Sequence, residues 1–311
     1  MSLKQIINTC RNYQGFLRKK PLGDILKVFG DFSLEDAGFF EAENIKIVAS
    51  TDGIIEGLVK LNPYMAGLYS VLVNVNDIVA KGAQPLGIMN VISSSNKKNR
   101  LKMAKGVKKG IDLFGLKFLK GHLHPDHSYE AVDASVVGVT ENFISSCDAK
   151  VGDEIVMAID LSGSARSKGW IKCFDSLTSS SKGEVNRKIS SMVTIGRKRL
   201  ANASRDISAS GIIGSLSMMC ESSRVGAICY LDKIPRPRRH DLLSWLMIYP
   251  SMGFIISTTN PERCCDILQE GGFSTGRVGV ITADKKVVLA FGEERGIFID
   301  LNKESAFGLK P

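Results

Sequence analysis

Residues 121–128 read GHLHPDHS and bring together His122, His124, Asp126 and His127, so three of the chain's four histidines fall within six positions. Neutral imidazoles two residues apart, with a carboxylate beside them, are the donors that hold zinc and activate water in hydrolases. A zinc pair needs further ligands from later in the chain. Downstream there is only His240, set among charged neighbours in RPRRHD, and one histidine cannot fill two ligand positions. The seven cysteines are scattered with no CxxC pair, which argues against thiolate zinc and against a disulfide framework.

With a binuclear zinc hydrolase of the metallo-β-lactamase type set aside, the carboxylates carry the argument. Asp31 follows Gly30, Asp52 ends a β-branched run, Asp77 lies on a long apolar segment, Asp126 sits in the histidine-rich stretch, and Asp206 stands in SRDISASGIIGS. Each alone reads as a turn former or cap. Together they are oxygen donors from separate segments, as Mg²⁺ ions bridging phosphates require. Asp206 with Ser208, Ser210 and Gly211 also reads as a helix N-terminus, where free backbone N–H groups attract phosphate oxygens.

The elements that must position these residues are legible in outline. IKIVAS (45–50) is a buried strand delivering Thr51-Asp52-Gly53 at its end. Pro63 opens a helix that runs to Lys81 before Gly82 and Pro85 stop it. Ser70, Asn74, Asp77 and Lys81 recur along it at helical spacing, so the spacing predicts one polar stripe, either a solvated face with an Asp77–Lys81 pair or the lining of a site. LGIMNVIS (86–93) reads as a strand. Leu101, Ala104, Val107, Ile111 and Phe114 mark the apolar face of a helix closed by Gly115. A brief strand, LKFLK, leads into a histidine-rich loop, and AVDASVVGV (131–139) follows as a strand. The second half starts near a Gly-Asp turn in AKVGDEIV. Helices follow around 185–200, 211–222, 240–248 and 261–270, with strands at VGAICYL, 275–282 and 286–291.

At 311 residues, 44% hydrophobic and 23% charged, the chain suits two globular domains, expected at 1–148 and 149–311. The longest uncharged run, 242–260, is interrupted by Pro250 and Gly253, and the N-terminus has no basic segment leading into an apolar one. The expectation is a cytoplasmic protein without a membrane span. The net charge of +9 favours anionic ligands. Its lysines and arginines are dispersed and aromatics are only 7%, which points to phosphorylated small molecules over nucleic acid.

The segments STDGI (50–54), SVLVNVNDIVAKGAQP (70–85), AKVGDEIV (149–156), RDISASGIIGSLSMMCESSRVGA (205–227) and GRVGVIT (276–282) resemble, in order, the motifs of the aminoimidazole ribonucleotide (AIR) synthetase superfamily. That superfamily includes selenophosphate synthetase, thiamine-monophosphate kinase and a hydrogenase-maturation carbamoyl dehydratase. SVLVNVNDI, GHLHPD and MGF further resemble segments of the archaeal AIR-synthase-related proteins called methanogenesis marker protein 2. The resemblance implies an α/β (α+β) two-domain fold, with an N-terminal mixed sheet and helices that form a dimeric barrel and a C-terminal α/β sandwich. It implies ATP and Mg²⁺ as cofactors, a homodimer, and phosphoryl transfer to an unidentified small-molecule or protein acceptor by a phosphotransferase or ligase. By the resemblance Asp52, Asp77 and Asp206 match Mg-ATP aspartates, joined in the metal set by Asp31 and Asp126. Asp77, His122 and Asp206 are then the catalytic candidates, and Asp31, Asp52, Asn74, Ser208, Gly211 and Lys20 the ATP-binding ones. GHLHPD occupies the place of the superfamily's G-G-[DE]-T turn, which puts the histidines beside the phosphates or the substrate. Phe32 replaces the second acid of the G-D-D-A motif, leaving open a catalytically degenerate ATP-binding or assembly protein. RNYQGFLRKKP resembles a flexible substrate-covering arm, with Lys19 and Lys20 either touching phosphate or forming an exposed tail.

Overall fold

A computed structural model describes residues 1–30, 33–168 and 171–309. In chain order the elements are α1 (Leu3–Arg11), α2 (Gln14–Leu17), α3 (Leu22–Phe29), β1 (Gly38–Ala42), β2 (Ile45–Gly53), α4 (Glu56–Leu61), α5 (Pro63–Ala80), β3 (Gln84–Ser93), α6 (Lys97–Phe114), β4 (Lys117–His124) and β5 (Ala131–Thr140). They continue as β6 (Glu154–Ile159), β7 (Ser164–Lys168), β8 (Ile171–Asp175), α7 (Lys182–Arg197), β9 (Ala203–Asp206), α8 (Gly211–Ser222), β10 (Gly226–Tyr230), α9 (Leu242–Leu246), β11 (Tyr249–Pro250), β12 (Gly253–Thr258), α10 (Pro261–Glu270), β13 (Ser274–Thr282), β14 (Lys286–Phe291) and β15 (Glu294–Asp300). The chain is mixed α/β, as the sequence pattern requires.

It divides into two compact units: Asp36–Phe143 with Ser180–Arg197, and Met1–Glu35 with Ile144–Ser179 and Lys198–Pro311. Relative to the boundary expected at 148/149, residues 1–35 and 144–148 fall in the second unit and residues 180–197 in the first. Helix α7 packs on α5, α6, β3 and β5 of the first unit, and α1 packs on β14, β15 and α9 of the second.

The first unit is a five-stranded sheet ordered β1-β2-β5-β3-β4, antiparallel except for the parallel β3–β4 pair. Strand β5 alternates cleanly: Val132, Ala134 and Val136 are buried, whereas Ala131, Asp133, Ser135 and Val137 are not. Helix α5 starts where Asn62 accepts a hydrogen bond from Met65 N and Pro63 presets the first turn. It lies against β2 and β5 and is buried on almost every side. Helix α6 begins at an Asn96 cap and ends at Gly115, whose φ of 68° is left-handed. A Cβ on Gly106 would stand 2.0 Å from Tyr64 O, so glycine there lets α5 and α6 approach closely. That approach selects the buried face of α6. Met103, Gly106, Val107, Gly110, Leu113 and Phe114 face the core, while Leu101 and Ala104, expected in the core, are exposed.

The second unit is built on a seven-stranded sheet ordered β15-β14-β10-β13-β6-β12-β9, with a three-stranded β11-β8-β7 sheet beside it in the same unit. The Gly-Asp turn before β6 is pinned by buried Asp153, which accepts from Lys150 N, Asn202 Nδ2 and Ser257 Oγ. The N-terminal segment, expected as a flexible arm, is helical and packed. Ser2 and Gln5 form a reciprocal cap on α1, Phe16 is buried against Phe298, and Gly23 N donates to Phe307 O.

Candidate functional site

The corner where β2 ends against α5 gathers four of the expected polar groups. Ser70 and Asn74 of the stripe are fully buried, so the stripe is no solvated face. Ser50 Oγ lies 2.6 Å from Asp77 Oδ2 and 3.2 Å from Asn74 Oδ1. Asn74 Nδ2 donates to Ser70 O at 2.9 Å and to Asp52 O at 3.4 Å, tying the strand end to the helix. Asp52 Oδ1 accepts from Gly53 N, and the residue is exposed. The Lys81 side chain reaches Asp36: Nζ stands 3.1 Å from Asp36 Oδ2, with the lysine side chain 0% and the aspartate side chain 6% exposed. This buried pair anchors the C-terminal end of α5.

The sequence reasoning missed Asp133, which faces Gly53 across the β2–β5 ladder. Partial burial and the nearby Asp52 charge push its carboxyl above the usual aspartate range. The available signal was an acid in the middle of the apolar strand AVDASVVGV.

In the second unit, β9 delivers Asp206, 5% exposed, to the turn before α8. Ser208 Oγ lies 3.2 Å from Ser210 Oγ, which lies 3.1 Å from Ser215 Oγ, and Ser208 N donates to Ser215 Oγ. Gly211 opens the helix at φ 77°. The N–H groups of Ser208 and Gly211 are used inside the turn, on Ser215 Oγ and Ser208 O, so the hydroxyls of Ser208 and Ser210 beside the N-terminus of α8 are what this corner presents to an anionic oxygen.

The histidines are placed differently from the expectation. Strand β4 runs through His124, because the ladder to β3 continues as Val91↔His122 and Ser93↔His124 and is prolonged by Ser94 N donating to His124 O. His122 and His124 are thus on an edge strand, and only Pro125, Asp126 and His127 follow it as a turn. The rings form a ladder with centroids 4.6 Å apart from His122 to His124 and 4.4 Å from His124 to His127, the latter stacked. His122 shares a register row with Val91, Asp133 and Gly53, so it lies three strands from the end of β2. Asp126 and Lys20 are exposed. Asp31 and Phe32 lie outside the described residues. Among the described residues, no three or more His, Cys, Asp or Glu side chains form a group that could hold a metal ion, and no helix is long and apolar enough to cross a membrane.

The family models for AIR synthase related protein match residues 34–140 (N-terminal domain) and 150–292 (C-terminal domain). An uncharacterized protein of Methanocaldococcus jannaschii is 34% identical over 99% of this chain and 100% of its own length. The chain belongs to the AIR synthase related family. A thiamine-monophosphate kinase of Pyrococcus horikoshii is 26% identical over 65% of this chain and 67% of the kinase. Among solved structures, PurL of T. maritima complexed with ADP superposes with a TM-score of 0.75 at 16% identity, which shows the fold alone; the match covers 89% of this chain and 46% of PurL.

The β2–α5 corner fits a nucleotide-bound Mg²⁺. The ion takes one or two protein carboxylates and completes its shell with phosphates and water, so a cage of three side chains is not required. Asp52 and Asp77 provide two carboxylates. Desolvation and the nearby Asp52 charge, which together raise the Asp133 carboxyl, are what a cation at this corner would offset.

Proposed function

We propose that the protein is an Mg²⁺-ATP-dependent enzyme that transfers a phosphoryl group to an oxygen-bearing acceptor. The observation that carries this reading is the Ser50–Asn74–Asp77 network at the end of β2, which aims a carboxylate from a helix otherwise buried in apolar core. When bound, ATP supplies the phosphoryl group and Mg²⁺ neutralises the charge of its oxygens. In this reading Asp52 and Asp77 hold the metal, while Ser50 and Asn74 fix the rotamer of Asp77. Asp206 and the serines before α8 bind metal and phosphate oxygens, with the Ser208 hydroxyl as donor and Gly211, whose N–H donates to Ser208 O, shaping the turn. His122 donates a hydrogen bond to phosphate or acceptor. Asp31, Asp126 and Lys20 belong to the same assignment as charged groups of flanking segments. Family membership, a kinase relative and an ADP-bound structural neighbour support the nucleotide. Calorimetric titration with ATP tests it: Mg²⁺ should tighten binding at least about tenfold, a difference of about 1.4 kcal/mol. Equal affinity with and without Mg²⁺ would remove the metal from the reading.

Phe32, in place of an acid, favours a second reading, a nucleotide-binding member without turnover. Under that reading Phe32→Asp raises ATP hydrolysis; under the first it leaves hydrolysis unchanged.

We also infer a homodimer in which the open face of the first unit's sheet is covered by a second copy. Phe40, Met89 and Leu119 are 60%, 37% and 45% exposed, and β1 and β4 are both edges. Light scattering at micromolar concentration should report twice the chain mass, and Leu119→Glu should halve it.

A further inference from the structure

Helix α6 carries more apolar surface than its packing uses. Its core stripe, Met103 to Phe114, lies against α5. A second stripe, Leu101, Ala104 and Ile111, lines a groove of about 710 Å³ whose other wall is Phe118 and Leu123 of β4. Leu101, Phe118 and Leu123 are 54%, 52% and 48% exposed. All of these residues belong to one compact unit. From Lys97 to Ile111 the groove follows 14 helical steps, about 21 Å, the length of roughly four turns of a second helix.

Its charge is one-sided. Lys97, Arg100 and Lys108 line the groove, and α6 as a whole holds seven lysines and arginines against one acid, Asp112. Asp112 is paired with Lys108, and the nearby Glu130 accepts from Ser94 and Asn99. Arg100 Nη1 donates to Ser94 O at 2.8 Å, which holds that guanidinium in place. A second copy offers no unpacked apolar helix of matching charge: the exposed apolar helix α3 has one acid, Asp24, already bonded to Lys27, and α10, with Glu262, Asp266 and Glu270, has its apolar face packed on β6 and β13.

We propose that this groove docks an acidic amphipathic helix of a partner protein. Its apolar face sits on Leu101, Ala104, Phe118 and Leu123, and its flanking carboxylates meet Lys97, Arg100 and Lys108. Helix-in-groove recognition uses this combination of apolar anchors and charged flanks.

The test uses two synthetic helices of about 18 residues, identical in a leucine stripe and differing in glutamate or lysine at every flanking position. Binding to the full-length protein is followed by fluorescence anisotropy at low and high salt. The glutamate peptide should bind at micromolar Kd, at least about tenfold tighter than the lysine peptide, with the gap closing at high salt. Leu101→Asp should weaken it at least about tenfold with an unchanged melting curve, because the side chain is exposed. Lys97→Glu with Lys108→Glu should invert the preference. Equal binding of the two peptides, no binding of either, or binding that survives Leu101→Asp would each overturn the proposal. So would shielding of a fluorophore on Leu101→Cys that grows with protein concentration, which would assign the groove to a second copy. His122, given above to phosphate or acceptor, also lines this groove, so ATP is titrated into the same Leu101→Asp variant: lost peptide binding with wild-type ATP affinity concerns the groove alone, and peptide results that fail while ATP still binds leave the nucleotide reading standing.

Discussion

The two corners that concentrate polar residues solve opposite problems. At the end of β2, desolvation and the nearby Asp52 charge disfavour ionisation of Asp133, and Ser50 and Asn74 serve to hold an acid in place. Before α8 the donors are serine hydroxyls at a helix N-terminus, with Asp206 as the acid. The first corner asks for a cation and the second for anionic oxygen.

The comparison can be broken most severely at Lys81. Replacing it with Met leaves Asp36 buried without its partner, so stability should fall by about 3–5 kcal/mol in urea denaturation. Lys81→Met with Asp36→Asn should recover part of the loss. A loss below about 1 kcal/mol would mean that the pair does not anchor α5.

A smaller effect is expected at the other corner. Gly211 adopts φ 77°, and a Cβ there would stand 2.6 Å from Leu246 O, so Gly211→Ala should cost roughly 2–4 kcal/mol and weaken binding of ATP. Unchanged ATP affinity in a folded variant would detach the α8 corner from the nucleotide.

The sequence carried the first corner well and the groove poorly, for physical reasons. Ser70, Asn74, Asp77 and Lys81 were visible because polar residues at helical spacing on an apolar helix are rare signals; their burial and the Asp36 partner of Lys81 were not, since both depend on distant segments. Strand β4 extends past the apolar LKFLK run to His124. KFLKGHLH is exposed along nearly its whole length and so lacks the alternation that marks a half-buried strand. On α6 the apolar pattern holds two stripes, and only the close approach at Gly106 decides which one is core. Helix α7 was recognised as a helix, but its assignment to the first unit rests on tertiary contacts that no local pattern announces.

A subtler effect separates the corners by titration. The folded-state value of Asp133 is raised above its ordinary 3.8, so the folded protein holds that proton more tightly than the unfolded chain. The stability this contributes is complete below about 3.8 and is lost as pH rises through the raised value. Asp133→Asn should therefore match wild type in strong acid and be the more stable of the two at neutral pH. A variant less stable than wild type at neutral pH would show that neither desolvation nor the Asp52 charge raises the Asp133 carboxyl.

The central claim is that Asp77 grips a nucleotide through metal, and melting temperature tests it most directly. A ligand at 100 times its Kd adds about 2.7 kcal/mol of stability. ATP with Mg²⁺ should then raise the melting temperature by several degrees, well beyond the sum of the shifts from ATP alone and Mg²⁺ alone. Asp77→Asn should keep its unliganded melting temperature near that of wild type and lose the joint shift. A joint shift that persists undiminished in Asp77→Asn would contradict the account.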